Sequence, residues 1–93
     1  MSGTTISSKD LDQRRRRLLF RAWHRGMREV DLITGRFADA HIRKLTKAEV
    51  DEFEKLMDVP EPELLAWVVG AEPTPAQFDT PLFRKMRDFR GAA

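Results

Sequence analysis

Apolar residues recur along this chain at steps of three and four, and nowhere alternate with polar ones over the length of a strand. Leu11, Leu18, Leu19, Ala22 and Trp23 form the first stripe. They predict a helix over residues 9–24, with Ser7 as its N-cap and Asp10, three residues on, completing a capping box. Met27, Val30, Ile33, Phe37 and Ala40 predict a second helix over 27–43, with Gly35 inside it as a point of kinking or splitting. Thr46 and Glu49 make another capping box ahead of Val50, Phe53, Leu56 and Met57. The third helix is therefore expected over 47–57, ended by Pro60. Pro62 suits a first helical turn and Gly70 a C-terminal cap. Between them, Leu64, Leu65, Trp67 and Val68 face inward in a helix over 61–69. The stretch AEPTPAQFD reads as a Pro-rich loop. Thr80 then caps a fifth helix over 81–90, with Pro81 in its first turn and Leu82, Phe83, Met86 and Phe89 on its apolar face. The expected fold is all-α, a compact bundle of five short helices. It makes a single domain over residues 9–90, between a disordered N-terminal tail, 1–8, and a short C-terminal tail, 91–93.

Composition narrows the functions open to such a bundle. A chain of 93 residues has a small core and little room for a deep enclosed site. It has no Cys, so disulfides, thiolate metal sites and cysteine nucleophiles are excluded. Two histidines, His24 and His41, and no Tyr leave few bases or nucleophiles. Neither histidine has metal-ligand spacing with an acidic pair, and His41 reads as surface or boundary. No catalytic, cofactor-binding or metal-ligating residue is expected, and the chain does not read as an enzyme. No apolar run reaches the ~20 residues that span a bilayer, and the N-terminus has no secretory h-region, so membrane insertion is not expected. The chain reads as cytoplasmic.

The net charge of +2 conceals an asymmetry. Residues 1–46 carry eleven Lys/Arg against five Asp/Glu, whereas residues 47–79 carry two against nine. Arg14, Arg17 and Arg21 form a basic stripe on the first helix. Its functional reading is an anion-binding surface; the plain one is a solvated helix face. No aromatic residue interleaves with RRRR to stack bases, and the acidic middle of the chain repels phosphate. Nucleic acid is therefore not the expected partner. The carboxylates Glu49, Asp51 and Glu52 read as surface, and Trp23 and Trp67 as core.

One stretch is not explained by packing alone. HRGMREVD, His24 to Asp31, places Gly26 where the first two helical patterns meet. A corner glycine has a structural use, but Arg25, Arg28, Glu29 and Asp31 crowd the same corner. An Arg fork, a carboxylate and a backbone without Cβ can grip another protein with no pocket.

Here the chain resembles a known family. RGMREVD resembles the signature of the SdhE flavinator family, whose mitochondrial members are called succinate dehydrogenase assembly factor two. Gly35 and Phe37 match the family's Gly-Pro-Phe, with Arg36 in place of Pro. FEKLMDVPEPELLAWVVG, Phe53 to Gly70, resembles its Phe-x-x-Leu-Leu, Asp-Pro-Asp-Leu and Trp-Leu run. His24 stands where the family often has a second Arg. The resemblance covers residues 14–90 and implies a five-helix bundle. It also implies an assembly factor that binds the flavoprotein subunit of succinate dehydrogenase and promotes covalent attachment of FAD to it. The fumarate reductase flavoprotein is a further candidate partner. Arg25, Gly26 and Glu29 would be the functional residues, supported by Met27, Arg28 and Asp31. No cofactor would be stably bound, FAD belonging to the partner, and the free form is expected to be a monomer. The alternative is a generic helical adaptor or nucleic-acid-binding bundle using the basic first helix.

Overall fold

Asp12 opens the first helix. Its carboxylate accepts the Arg15 N–H at 2.8 Å, which satisfies one of the donors that a helix N-terminus leaves free. The computed structural model describes residues 10–89. Its helices are α1, Gln13–Trp23; α2, Arg28–His41; α3, Lys47–Met57; α4, Glu61–Val68; and α5, Pro81–Asp88. A single 3-10 turn, Ala76–Phe78, interrupts the Pro-rich loop before α5. The all-α bundle of five helices is as expected. Among the described residues, no helix is long and apolar enough to cross a membrane.

Several boundaries move, each for a local reason. α1 starts at Gln13 because Asp12, and not Ser7, supplies the cap; Ser7 and the tails lie outside the described residues. Met27 is the extended N-cap of α2, so that helix begins one residue later than the apolar pattern implies. α2 ends at His41, short of 43, and α4 ends at Val68, short of 69. α5 ends at Asp88 because Phe89 has turned to extended backbone. The capping box of α3 is present in full: Thr46 Oγ1 accepts the Glu49 N–H at 3.1 Å, and Glu49 Oε1 accepts the Thr46 N–H at 2.9 Å.

Phe37, Phe53 and Phe83 are fully buried at the centre, each drawn from a different helix. Phe37 meets Phe53 edge to face at 5.6 Å between centroids, a favoured aromatic geometry. α2 packs against α1, α4 and α5, while α3 packs against α1 and α5. Of the four residues expected to face inward from α4, only Leu64 is buried; Leu65, Trp67 and Val68 are half-buried against the core's edge. Trp67 stacks on Phe78 of the 3-10 turn, 5.2 Å between centroids.

Gly35 neither kinks nor splits α2. It is buried within an unbroken helix, and a Cβ added there would lie 2.3 Å from Trp23 Cδ2. The glycine lets the indole of α1 lie directly on the α2 backbone. Trp23 Nε1 then donates to Asp39 Oδ1 at 3.2 Å, giving the half-buried indole its polar partner. This contact fixes how α1 approaches α2, and so sets the corner between them.

Candidate partner-binding site at the α1–α2 corner

α1 closes when the His24 N–H reaches Arg21 O at 3.1 Å, and α2 opens four residues later at Arg28. The chain reverses between them through Gly26, whose φ of +108° disfavours every residue with a Cβ. Asp31 Oδ1 reaches back from the first turn of α2 and accepts the Arg25 N–H at 2.7 Å. An acceptor in that turn also suits the positive end of the α2 dipole. The side chain of Asp31 thus ties both arms of the corner together.

Arg25 does not present its fork to solvent. Its guanidinium donates to the carbonyl oxygens of Met57 and Val59, at the end of α3 and in the α3–α4 connection. Those carbonyls lie past the last intrahelical bonds and lack amide partners, and the α3 C-terminus carries partial negative charge. Arg25 Nε is buried without a hydrogen-bond partner. Burial is the main influence lowering the Arg25 pKa, and Arg21 adds to it, against the opposing charges of Glu61, Asp31 and Asp58.

The six residues expected at the site are therefore gathered in one corner, in two sets. Gly26, Arg28 and Glu29 are exposed, and neither the Arg28 nor the Glu29 side chain has a hydrogen bond or ion pair among the described residues. Arg25, Met27 and Asp31 are half-buried, with Met27 packed against the core. Two neighbours went unread in the sequence. Glu61, at the start of α4, has Oε2 only 3.3 Å from where a Gly26 Cβ would be. Phe20 is 63 % exposed and stacks on His24 at 3.9 Å, with His24 Nδ1 2.7 Å from Phe20 O. A groove of about 380 Å³ runs between this stack and the Met57–Glu61 connection. A signal for Phe20 existed: it falls off the Leu18, Leu19 and Ala22 stripe, beside Arg21.

The basic stripe of α1 has a different fate. Arg14 spans Glu54, at 2.7 and 2.9 Å, and also Asp51. These bonds raise the Arg14 pKa and hold the Asp51 and Glu54 carboxyls below their ordinary values. Arg21 donates to Asp58 Oδ1 at 2.7 Å and to Met57 O at 3.1 Å. Arg15 donates to Ile42 O at 3.0 Å and to Leu45 O, closing the α2–α3 turn. Much of the stripe is thus spent within the molecule, although Arg17 is exposed. Among the described residues, no group of three or more His, Cys, Asp or Glu could hold a metal ion.

Comparison with known proteins shows the family of the chain. The family model described as flavinator of succinate dehydrogenase matches residues 16–90. A protein of Acetobacter pasteurianus named FAD assembly factor SdhE is 39 % identical over 85 residues, which is 91 % of this chain and 78 % of that protein. A protein of Dictyostelium discoideum named succinate dehydrogenase assembly factor 2, mitochondrial, is 31 % identical over 75 residues, 81 % of this chain and 53 % of its own. A Drosophila melanogaster protein named succinate dehydrogenase assembly factor 2-B, mitochondrial, is 30 % identical over 80 residues, 84 % of this chain and 51 % of its own. The chain thus spans about half the length of these two mitochondrial relatives. No solved structure matches it.

Proposed function

The chain belongs to the flavinator of succinate dehydrogenase family, and from that premise we propose that it binds the flavoprotein subunit of succinate dehydrogenase and promotes covalent attachment of FAD there. The observation that carries this reading is the exposed Gly26 at φ +108°, followed by Arg28 and Glu29, whose side chains have no partners among the described residues. Charged groups held at a backbone corner, with no Cβ to keep a neighbour off, suit contact with a protein surface.

The linkage forms between a histidine of the flavoprotein and the 8α carbon of FAD, so both reacting groups belong to the partner. The assembly factor's task is to hold that partner in a competent arrangement, and positioning of this kind needs no nucleophile of its own. Gly26 admits the partner's backbone, while Arg28 and Glu29 supply one cation and one acceptor. The free protein is a monomer with no stably bound flavin in this reading. The fumarate reductase flavoprotein is included as a second partner.

The test is in-gel flavin fluorescence of the denatured flavoproteins from host cells with the gene, without it, or carrying Gly26→Arg. The succinate dehydrogenase band should fade on deletion and stay dark with Gly26→Arg, although that variant keeps its helical circular dichroism. Equal brightness in every lane would overturn the reading. The fumarate reductase band, scored in the same gel, decides the second partner.

A further inference from the structure

Two segments far apart in sequence meet at the corner. The first is Arg25 to Glu29. The second is the α3–α4 connection with the first turn of α4, Met57 to Glu61. Arg25 ties them by donating from its two terminal nitrogens to Met57 O and Val59 O. Arg21 adds a second tie on the same side, through Met57 O and Asp58. The Glu61 carboxylate consequently stands over Gly26, close enough for an added Cβ to crowd it at 3.3 Å. Any chain that approaches Gly26 meets Glu61 as well.

We infer that the partner-binding surface has two walls: the Gly26 corner is one, the start of α4 at Pro60 and Glu61 is the other, and Arg25 is the positioning residue that sets their spacing. This rests on the proposed function and takes the same flavoprotein as occupant. Its carboxylate makes Glu61 an acceptor for a donor group of the flavoprotein, beside the acceptor already supplied by Glu29. Arg25 acts through its own chain. Both ends of its fork are occupied by carbonyls, and its backbone N–H is held by Asp31.

Glu63 provides an internal control, since it lies in the same helical turn and is exposed, but lines the neighbouring groove with Lys55 and Trp67 and not the one lined by Arg25 and Glu61. Affinity for the purified flavoprotein would be measured by titration for Glu61→Lys, Glu63→Lys and Gly26→Arg. Glu61→Lys should weaken binding by about tenfold or more, because it sets a cation against the donor group that the flavoprotein would offer. Glu63→Lys should bind as the unaltered protein does. If Glu61→Lys also binds normally while Gly26→Arg fails, the second wall is wrong and the corner stands. If Gly26→Arg binds normally, the functional reading itself fails.

The brace has its own readout in the free protein. Arg25→Lys replaces a rigid two-nitrogen fork by a single ammonium on a flexible stem, which cannot hold the two carbonyls at the fork's fixed spacing. It should speed amide hydrogen exchange in residues 24–28 and in residues 57–61 together, and weaken binding with little change in melting temperature. Unchanged exchange in both segments, with binding lost, would make Arg25 a contact residue and overturn its positioning role.

Discussion

Two arginine-rich regions of this molecule lie a few turns apart and serve different ends. Along the α1–α3 seam, Arg14 and Arg21 meet Asp51, Glu54 and Asp58, so side-chain charge answers side-chain charge. At the α1–α2 corner, the Arg25 guanidinium meets only backbone carbonyls, and the Arg28 and Glu29 side chains beyond it are left open. The seam can lose a bridge and remain a helix pair, because Leu18, Leu19, Phe53 and Leu56 pack beneath it. At the corner itself the turn depends on Gly26 at positive φ and on the ties that Arg25 and Asp31 make across it, so each residue there sets geometry. Residues of the same type thus contribute tolerance in one place and geometry in the other.

The sharpest way to break this contrast is at the contact supporting the corner. Gly35→Ala would drive a methyl into the Trp23 ring, and overpacking of this kind costs about 1–3 kcal/mol. Chemical denaturation of the purified variant measures it, and an unchanged midpoint would mean that the indole has room to move. Next comes the corner itself. Gly26→Ala at φ +108° should cost about 1–2 kcal/mol of backbone strain and weaken flavoprotein binding by more than that loss explains. Parallel melting and titration would separate the two effects.

On the seam the order of effects reverses. Arg14→Ala should lower the melting temperature slightly, by an amount that shrinks as salt is added, and should leave flavoprotein affinity unchanged. A clear loss of binding would place the seam in the interface. The smallest expected effect concerns His41, which lies against Phe37 at 4.6 Å and Phe89 at 5.4 Å. Burial, then Lys85 and Lys44, hold its imidazole below the ordinary histidine value, against a weaker opposing pull from Glu49. The unfolded chain therefore binds this proton more readily. That contribution to stability is whole above about pH 6.5 and declines as pH falls below it. Melting at pH 7.5 and 5.5 should show a small drop that His41→Gln reduces, with no matching change at the corner.

What the sequence made legible follows from where each signal resides. α3 was readable to both ends because its capping box and its terminating proline are local chemistry. The corner was readable as a turn because a glycine between arginines contradicts helix propensity. The purpose of Gly35 was not, since its reason is an indole from another helix. The role of Arg25 was hidden in the same way. Carbonyl oxygens carry no side-chain signature, so nothing in RGMREVD shows that Met57 and Val59 await its fork. Glu61 resembled any acidic residue of a first helical turn until the fold set it beside Gly26.

The seam has one more consequence, and it is kinetic. A basic N-terminal half folded onto an acidic middle answers part of its charge at short range, at Arg14 and Arg21, which weakens the steering field either half would carry alone. Encounter with the proposed flavoprotein partner should then run near the ordinary unsteered rate, on the order of 10⁵–10⁶ M⁻¹s⁻¹, and vary little with ionic strength. If the flavoprotein docks at the corner as proposed, the lifetime of that complex carries the selectivity instead.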